Sequence, residues 1–286
     1  MVPGAVGDRA GFTLIEALIS LVLSAFVVML VSSTFLIQNN YYATQLQRTR
    51  VQDNARVATE MIAAEIRSAT AGGFVVAGAR TLTVRSPMVV TVLCSRSGTA
   101  ADVHTEGGQA GLDVAEVAGV AMRDAATGAW TYANATWATL DGSDAGSASS
   151  CAGNGADVTG AATEFHRLAN LNTLFSPVPS EGDVVMLFRE TTFKIQASVL
   201  DPSGLGLFRG SYGDPLIEFA TGMDTTARFQ YRTMGTSSYA DTLTGAAVAN
   251  VDAVRIVADA RRPAQTGGRS DITFGWAVNV AVRNLP

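Results

Sequence analysis

The sequence predicts an α+β protein in which a long N-terminal helix packs on a β-rich C-terminal head. Residues 13–70 contain no proline and no glycine, so a single helix can run through them unbroken. After Gly72 and Gly73 the chain changes to short alternating runs of polar and apolar residues, separated by Gly, Asp and Ser. These two textures predict a helix over residues 12–71 and a head over residues 72–286.

The first half of the predicted helix is apolar enough to cross a membrane. No charged residue lies between Glu16 and Arg48. Residues 17–37 form the most apolar part, and as a helix they span about 32 Å, which matches a bilayer core of about 30 Å. We therefore expect a membrane-spanning segment over residues 12–37.

An apolar segment near the N-terminus can also be a cleaved secretory signal peptide. A signal peptide has a basic region, a short apolar run and a small-residue cleavage site after that run. Here only Asp8 and Arg9 carry charge before the apolar run, and residues 31–42 continue without Pro or Gly. The pattern favours a retained helix.

Glu16 places a carboxylate at the edge of the apolar span. A charge inside such a span costs about 2.5 to 3.5 kcal/mol on insertion scales, so it needs a partner or a function. Cleavage after Gly11 would free the α-amine of Phe12, and the amine of a neighbouring subunit could neutralise Glu16. An interfacial glutamate that reaches headgroup water is the alternative.

The stretch GFTLIE at residues 11–16, followed by a long apolar helix, resembles type IV prepilins and type II secretion pseudopilins. In that family a membrane peptidase cuts after the glycine and methylates the new terminal phenylalanine. The family's glutamate serves subunit recruitment and packing. The resemblance implies a leader peptide over residues 1–11, processing at Gly11 and Phe12, an assembly role for Glu16 and a pilin-like fold.

The second half of the helix is amphipathic and is expected to cover the sheet of the head. Arg56 and Glu60 lie off its apolar face, four residues apart, and can form a weak surface ion pair. The apolar residues that define the face recur at spacings of three or four: Val51, Ala55, Ala58, Ile62, Ile66 and Ala69.

Two short stretches in this half carry a second resemblance. The sequences NAR at residues 54–56 and EIRSA at residues 65–69 are similar to the post-membrane helix of PilW-type minor pilins and J-type minor pseudopilins. This resemblance implies a structural subunit of a type IV pilus-like filament. Its implied partners are other pilins or pseudopilins, the prepilin peptidase and the inner-membrane assembly platform. The resemblance does not distinguish whether the filament serves twitching motility, secretion or DNA uptake.

The head is predicted to contain a one-sided sheet, because polar and apolar side chains alternate in its clearest runs. We expect strands within residues 81–85, 88–94, 184–189, 192–200, 227–233, 251–258 and 272–283.

Cys94 and Cys151 are the two cysteines of the chain. In an exported chain an even pair favours a disulfide, and two unpaired thiols are the alternative. Residues 94–151 are rich in Gly, Ala, Ser and Thr, so we expect a surface loop pinned by this bridge. Three aromatic residues of the loop either pack beneath it, which is the favoured interpretation, or form a recognition patch: Trp130, Tyr132 and Trp137.

The sequence contains no recognisable catalytic or metal-binding pattern. His104 and His166 stand far apart, without metal-ligand spacing. The glycine-rich residues 204–210 lack dinucleotide-loop spacing and are expected to form a turn between strands. Asp141 and Asp144 lack the ligand alternation of a calcium loop, and a net charge of −5 argues against a nucleic-acid binder. We predict no catalytic residue, no metal and no cofactor.

These observations predict a minor pilin or minor pseudopilin and not an enzyme. A single helix would hold it in the cytoplasmic membrane with the head outside, before it joins a cell-surface filament. Two alternatives stay open: a major fibre-forming pilin with an enlarged head, and a monomeric membrane-anchored binding or adhesion protein. A membrane-tethered hydrolase has no supporting residues.

Overall fold

The computed structural model describes residues 13–105, 112–144, 150–151, 158–159, 164–262 and 272–282. A long N-terminal helix is followed by a β-rich region of antiparallel strands, which confirms the predicted α+β fold class. By compactness the chain divides into two units, Met1–Asp53 and Asn54–Pro286, and the boundary falls within the long helix. The predicted leader over residues 1–11 lies outside the described residues.

Helix α1 runs from Leu14 to Ser68. Its part Leu14–Leu46 is long and apolar enough to cross a membrane, by length and composition. Four side-chain hydroxyls in this part donate to carbonyls within the helix, so these four bring no unsatisfied polar group into lipid. The donor–acceptor distances are 2.7–2.9 Å for Ser20, Ser24, Ser33 and Thr34.

The second half of α1 buries its apolar face in the second unit, as the periodicity predicts. Ile62 and Ile66 are fully buried there. Val51 and Ala55, which the prediction also placed on this face, have side chains outside the described part. The residues of the face that are buried against the sheet are Ala58, Ile62, Ala63, Ile66 and Ala69.

The helix ends where the glycine pair indicates. Gly72 has a φ of 75°, a left-handed conformation that residues with a side chain rarely adopt. Its amide donates to the carbonyl of Ala249 at 3.2 Å, and the carbonyl of Gly73 accepts from the amide of Arg85 at 2.7 Å. The chain therefore turns directly from the helix into the sheet that the helix covers.

The second unit contains fifteen described strands and four short helical segments. The strands are β1 Phe74–Gly78, β2 Thr81–Ser97, β3 Ala100–His104, β4 Gly119–Arg123, β5 Trp130–Asn134, β6 Ser143–Asp144, β7 Ser150–Cys151, β8 Val158–Thr159, β9 Phe165–Leu168, β10 Val184–Ala197, β11 Leu205–Ser211, β12 Ile217–Met223, β13 Arg228–Thr233, β14 Val251–Arg262 and β15 Ile272–Ala281. The helical segments are a 3-10 turn Val114–Glu116, α2 Trp137–Leu140, α3 Leu171–Leu174 and α4 Ala246–Ala249.

The long strand β10 organises the main sheet. It pairs with β2 from Val184 to Lys194, while β4 and β11 share its other edge. The sheet continues from β11 through β12 to β14, which is flanked by β13 and β15, and from β2 through β3 to β9 and β6. All described pairings are antiparallel, as expected for a sheet with one face packed on a helix.

The second unit contains two large apolar cores. The first lies between α1 and the sheet, and Phe193, Phe229 and Tyr231 are its largest fully buried side chains on strands. The second lies away from α1 and joins residues of β2, β3, β9 and β10 to α2 and α3. Its fully buried members include Leu93, Val103, Leu140, Leu168 and Leu187.

The prediction of a surface loop over residues 94–151 is wrong for the part that the structure describes. Strands β3, β4 and β5 and helix α2 lie within this range, and Val103, Val120 and Leu140 are fully buried in the second core. The low content of large side chains was misleading, because small residues such as Ala101 and Ala121 fill tight positions in these strands.

The prediction of a turn at residues 204–210 is also wrong. Strand β11 begins at Leu205 and pairs with both β10 and β12. A Cβ at Gly206 would lie 2.0 Å from the Oε1 atom of Glu218, so the missing side chain makes room for this carboxylate. The glycine here marks a close approach within a strand.

The three aromatic residues of the former loop pack rather than form an exposed patch, as the favoured interpretation predicted. Trp130 and Tyr132 contact the small cluster around Phe188, with ring centroids of Tyr132 and Phe188 5.4 Å apart. Trp137 packs on the second core.

Candidate functional site

Glu16 lies in the exposed first turn of α1. Its amide donates to the carbonyl of Thr13 at 3.1 Å, and the Thr13 hydroxyl lies 3.5 Å from Oε2 of Glu16. A threonine followed three residues later by a glutamate is the capping-box pattern, and a negative charge is favoured at a helix N-terminus. Glu16 therefore has a local helix-capping environment in the single chain.

The surface around and beyond Glu16 is apolar and uncovered in the single chain. Large side chains from Leu14 to Leu46 are exposed, and Leu14 itself is 82% exposed. An apolar surface of this extent requires lipid or protein cover. The carboxylate of Glu16 therefore lies at one end of a surface that must be buried by something other than this chain's described residues.

A second site, which the sequence analysis did not identify, lies on the buried face of α1. Glu65 has a side chain that is only 8% exposed. The Ser86 hydroxyl donates to its Oε2 atom at 2.6 Å, and Nη2 atoms of Arg189 and Arg209 each donate to Oε1 at 3.1 Å. One helix carboxylate thus joins three strands of the sheet: β2, β10 and β11.

The ion network continues away from the helix. Arg189 also donates from Nη1 to Glu116 at 3.2 Å, so its guanidinium bridges two carboxylates. On the neighbouring positions of β2 and β10, Arg85 and Glu190 form a second ion pair at 2.9 Å. These pairs satisfy charges that would otherwise be costly in a largely buried place.

The sequence contained a signal for Glu65. The apolar face of the helix repeats through Ile62, Ile66 and Ala69, and Glu65 falls on the same face, three residues after Ile62. A carboxylate within a buried face requires partners. Its two arginine partners come from strands β10 and β11, more than a hundred residues later, so the sequence alone could not name them.

The C-terminal end of α1 is held by Tyr132. Its hydroxyl is hydrogen-bonded to the hydroxyl of Thr70 and donates to the carbonyl of Ala71 at 3.3 Å. Burial raises the pKa of Tyr132, and the Thr70 hydrogen bond and the nearby charge of Arg85 partly oppose that rise. The Arg85 guanidinium lies 4.9 Å from the Tyr132 ring centroid.

The predicted processing residues Gly11 and Phe12 lie outside the described residues. Cys94 is disulfide-bonded. The side chain of Cys151 is not among the described ones, so the pairing of these two cysteines stays a prediction.

The two histidines lie closer together than their sequence positions indicate, because β3 and β9 pair. His104 lies opposite Phe165, and its Nε2 atom is 3.5 Å from Oε2 of Glu164. His166 is fully buried and meets Trp137 edge-on. Within the described ranges, no group of three or more His, Cys, Asp or Glu could hold a metal ion.

The exposed Arg56–Glu60 pair predicted on α1 is present, at 2.9 Å. A glutamate at the start of an apolar helix of membrane-spanning length, followed by an amphipathic half buried on an antiparallel sheet, is a pilin-like arrangement.

Comparison with known proteins gives the family signature. Residues 7–32 match the family model described as the prokaryotic N-terminal methylation motif, the signature of type IV prepilins and pseudopilins. The chain therefore carries the N-terminal signature of type IV pilins and pseudopilins, and this motif implies processing by prepilin peptidase and assembly with other pilins. Among curated proteins and solved structures, nothing matches the chain significantly.

Proposed function

We propose that this protein is a minor pilin or minor pseudopilin, a structural subunit of a type IV pilus-like filament with no catalytic role. The observation that carries the proposal is the N-terminal methylation motif at residues 7–32, which continues into an exposed apolar helix. The exposed apolar side chains along the first half of this helix need lipid or protein around them. A filament subunit meets this need, because its helix lies first in the membrane and then among similar helices.

Glu16 is the residue that we assign to assembly. Cleavage after Gly11 leaves a new α-amine on Phe12. Among the described residues, the Glu16 side chain has only its capping contact with Thr13. In a filament, the amine of a neighbouring subunit reaches this carboxylate in a low-dielectric environment, where opposite charges attract strongly. That pairing fixes the axial position of one subunit against the next.

A minor role is favoured by the size of the head. The described part of the head contains two large apolar cores and a sheet of thirteen strands, and major pilins tend to be much shorter than 286 residues. The similarity of residues 54–56 and 65–69 to PilW-type and J-type minor subunits supports the same role. The protein would prime the filament or form part of its tip complex.

The charge of Glu16 is tested by comparing Glu16→Gln with wild type. Glutamine preserves the capping-box pattern at the helix N-terminus but carries no charge. We expect Glu16→Gln protein to be processed and retained in the membrane but lost from sheared filaments, measured by quantitative immunoblotting of both fractions. Glu60→Gln, on the exposed face of the same helix, is the matched control and should enter filaments normally.

Three outcomes would contradict the proposal. If Glu16→Gln protein enters filaments as efficiently as wild type, the carboxylate has no charged partner in the assembly. If the protein is the dominant component of sheared filaments, it is a major and not a minor subunit. Absence from filaments together with normal filament formation in a deletion strain would favour the anchored adhesion protein.

A further inference from the structure

The strands β13, β14 and β15 have an outer sheet face that is exposed along β15 and partly buried along β13 and β14, and the proposed assembly role does not use it. On the core side, Phe229 and Tyr231 of β13 and Val254 of β14 are fully buried. The alternate residues point away from the core. This outer face, which we call the β13–β15 face, consists of Arg228, Gln230 and Arg232 on β13, Arg255 on β14, and Ala277, Asn279 and Ala281 on β15.

The floor of the β13–β15 face along β15 is made of small residues. Ala277, Asn279 and Ala281 are exposed, and within the described residues β15 pairs only with β14. Because these exposed side chains are small, another protein backbone can approach β15 closely. Native sheets usually protect such outer strands with charged residues or proline, and the described part of β15 contains neither.

Two of the three arginines on the face already have carboxylate partners. Arg232 donates to both oxygens of Asp252, at 2.9 and 3.2 Å, and this hydrogen bonding raises the pKa of Arg232. Arg228 lies 3.3 Å from Asp241. These two pairs are complete within the chain.

Arg255 is the third arginine. Among the described residues, Asn279 and Tyr239 hold its side chain in place, and neither of them is a carboxylate. Its Nε atom donates to Oδ1 of Asn279 at 2.8 Å, and its guanidinium lies 4.1 Å from the ring centroid of Tyr239. Within the described part of the chain, no carboxylate lies within 4.0 Å of the guanidinium. The side chain is fixed at its Nε edge and on one face, which leaves the two Nη groups as a fork for an incoming acceptor.

We propose that the β13–β15 face binds a neighbouring filament subunit, and that Arg255 receives a carboxylate from that subunit. Arginine and tyrosine are among the residues that most often anchor protein interfaces, and Arg255 with the adjoining Tyr239 provides one of each. The small floor of β15 beside them provides the close approach that such an anchor requires. This inference rests on the proposed function, because it takes the partner from the same filament.

The charge of the surroundings favours a protein carboxylate over a nucleic acid. Asp241 and Asp252 form ion pairs with Arg228 and Arg232 of this face, and their negative charges would repel a chain of phosphates. The whole protein also carries a net charge of −5. A single carboxylate on a partner surface needs only the one oriented guanidinium, whereas a nucleic acid requires a continuous basic stripe.

The proposal is tested by site-specific photo-crosslinking in cells that make filaments. A benzophenone amino acid replaces Ala277 in the full chain, and the cross-linked peptide is identified by mass spectrometry. The same probe at Leu23, in the apolar half of α1, reports separately whether the chain packs among other pilin helices. Arg255→Glu and Arg255→Gln are each combined with the Ala277 probe, and Arg123→Glu on β4 is the matched charge reversal elsewhere on the head.

We expect the Ala277 probe to label a pilin-like subunit at a peptide that contains Asp or Glu. Labelling should fall about tenfold with Arg255→Glu and less with Arg255→Gln, and should persist with Arg123→Glu. A Leu23 adduct without an Ala277 adduct would overturn this inference and leave the proposed function standing. So would labelling of nucleic acid or lipid, or labelling that does not depend on Arg255. Loss of both adducts would overturn both proposals.

Discussion

At the scale of single residues, Glu60 and Glu65 of α1 both contact arginine, but their surroundings are very different. Glu60 and Arg56 form an exposed pair four residues apart on one helix. Glu65 is buried and shared between Arg189 and Arg209, which reach it from two strands. An exposed pair contributes almost nothing to stability, whereas removal of one member of a buried network leaves charges without their partner.

The first prediction concerns this difference. Glu65→Ala should lower the free energy of unfolding of the head by about 2–3 kcal/mol, less than for a fully buried pair because both arginines are one-third exposed. Glu65→Gln keeps one oxygen acceptor and should cost about half as much. The measurement is the urea midpoint of the near-ultraviolet circular dichroism of detergent-solubilised protein.

Glu60→Ala is the control for this experiment, and it should change the free energy of unfolding by less than about 0.5 kcal/mol. Equal effects of Glu60→Ala and Glu65→Ala would show that the Glu65 network does not hold the helix on the sheet.

The second prediction follows from a buried phenol. Tyr231 donates its hydroxyl to the carbonyls of Gly78 and Thr81, and burial raises its pKa. Above pH 10 the phenol ionises in the unfolded chain but not in the folded one, so stability should fall as the pH rises. Tyr231→Phe should lower the urea midpoint at pH 8 through its lost hydrogen bonds, yet reduce the further fall between pH 8 and pH 11. An unchanged fall in the variant would assign the alkaline sensitivity to other groups.

At the scale of elements, the helix was more predictable from the sequence than the sheet. The spacing of Ile62, Ile66 and Ala69 follows from the helical period alone, and Gly72 marks the end of the helix through its own backbone preference. Strand β11 could not be recognised, because Gly206 looks like a turn residue until Glu218 is placed above it. Its assignment depends on a contact between strands, which no local pattern contains.

The difference between local patterns and contacts between strands also explains which candidate sites the sequence could reveal. Glu16 could be identified as a candidate from the sequence because its proposed role depends on its position within a local motif. The Glu65 network and the Arg255 fork could not, since each joins residues that only the strand pairing brings together.

The third prediction belongs to the helix as an element. Ile62→Ala should lower the free energy of unfolding of the head by about 2–4 kcal/mol, because it opens a cavity in the first core. Val57→Ala, an exposed position on the same helix, should be nearly neutral. Thermal melts of both variants measure the difference. Similar melting temperatures would mean that the helix does not pack on the sheet through this face.

At the scale of the whole molecule, the two units bury their apolar residues in different ways. The first unit presents an apolar surface that only lipid or other helices can cover. The second unit contains its own two cores and buries the far half of α1 on its sheet. In the proposed assembly, cleavage before Phe12 creates a free α-amine. Glu16 of a neighbouring subunit pairs with this amine when the apolar helix leaves the membrane and enters the filament.

The most direct test of this claim is mass spectrometry of the protein's N-terminus, taken from sheared filaments. The account predicts a mature chain that begins at Phe12 and carries a methyl group on its α-amine. A filament-incorporated chain that still contains residues 1–11 would contradict the account, because Glu16 would then have no amine to meet.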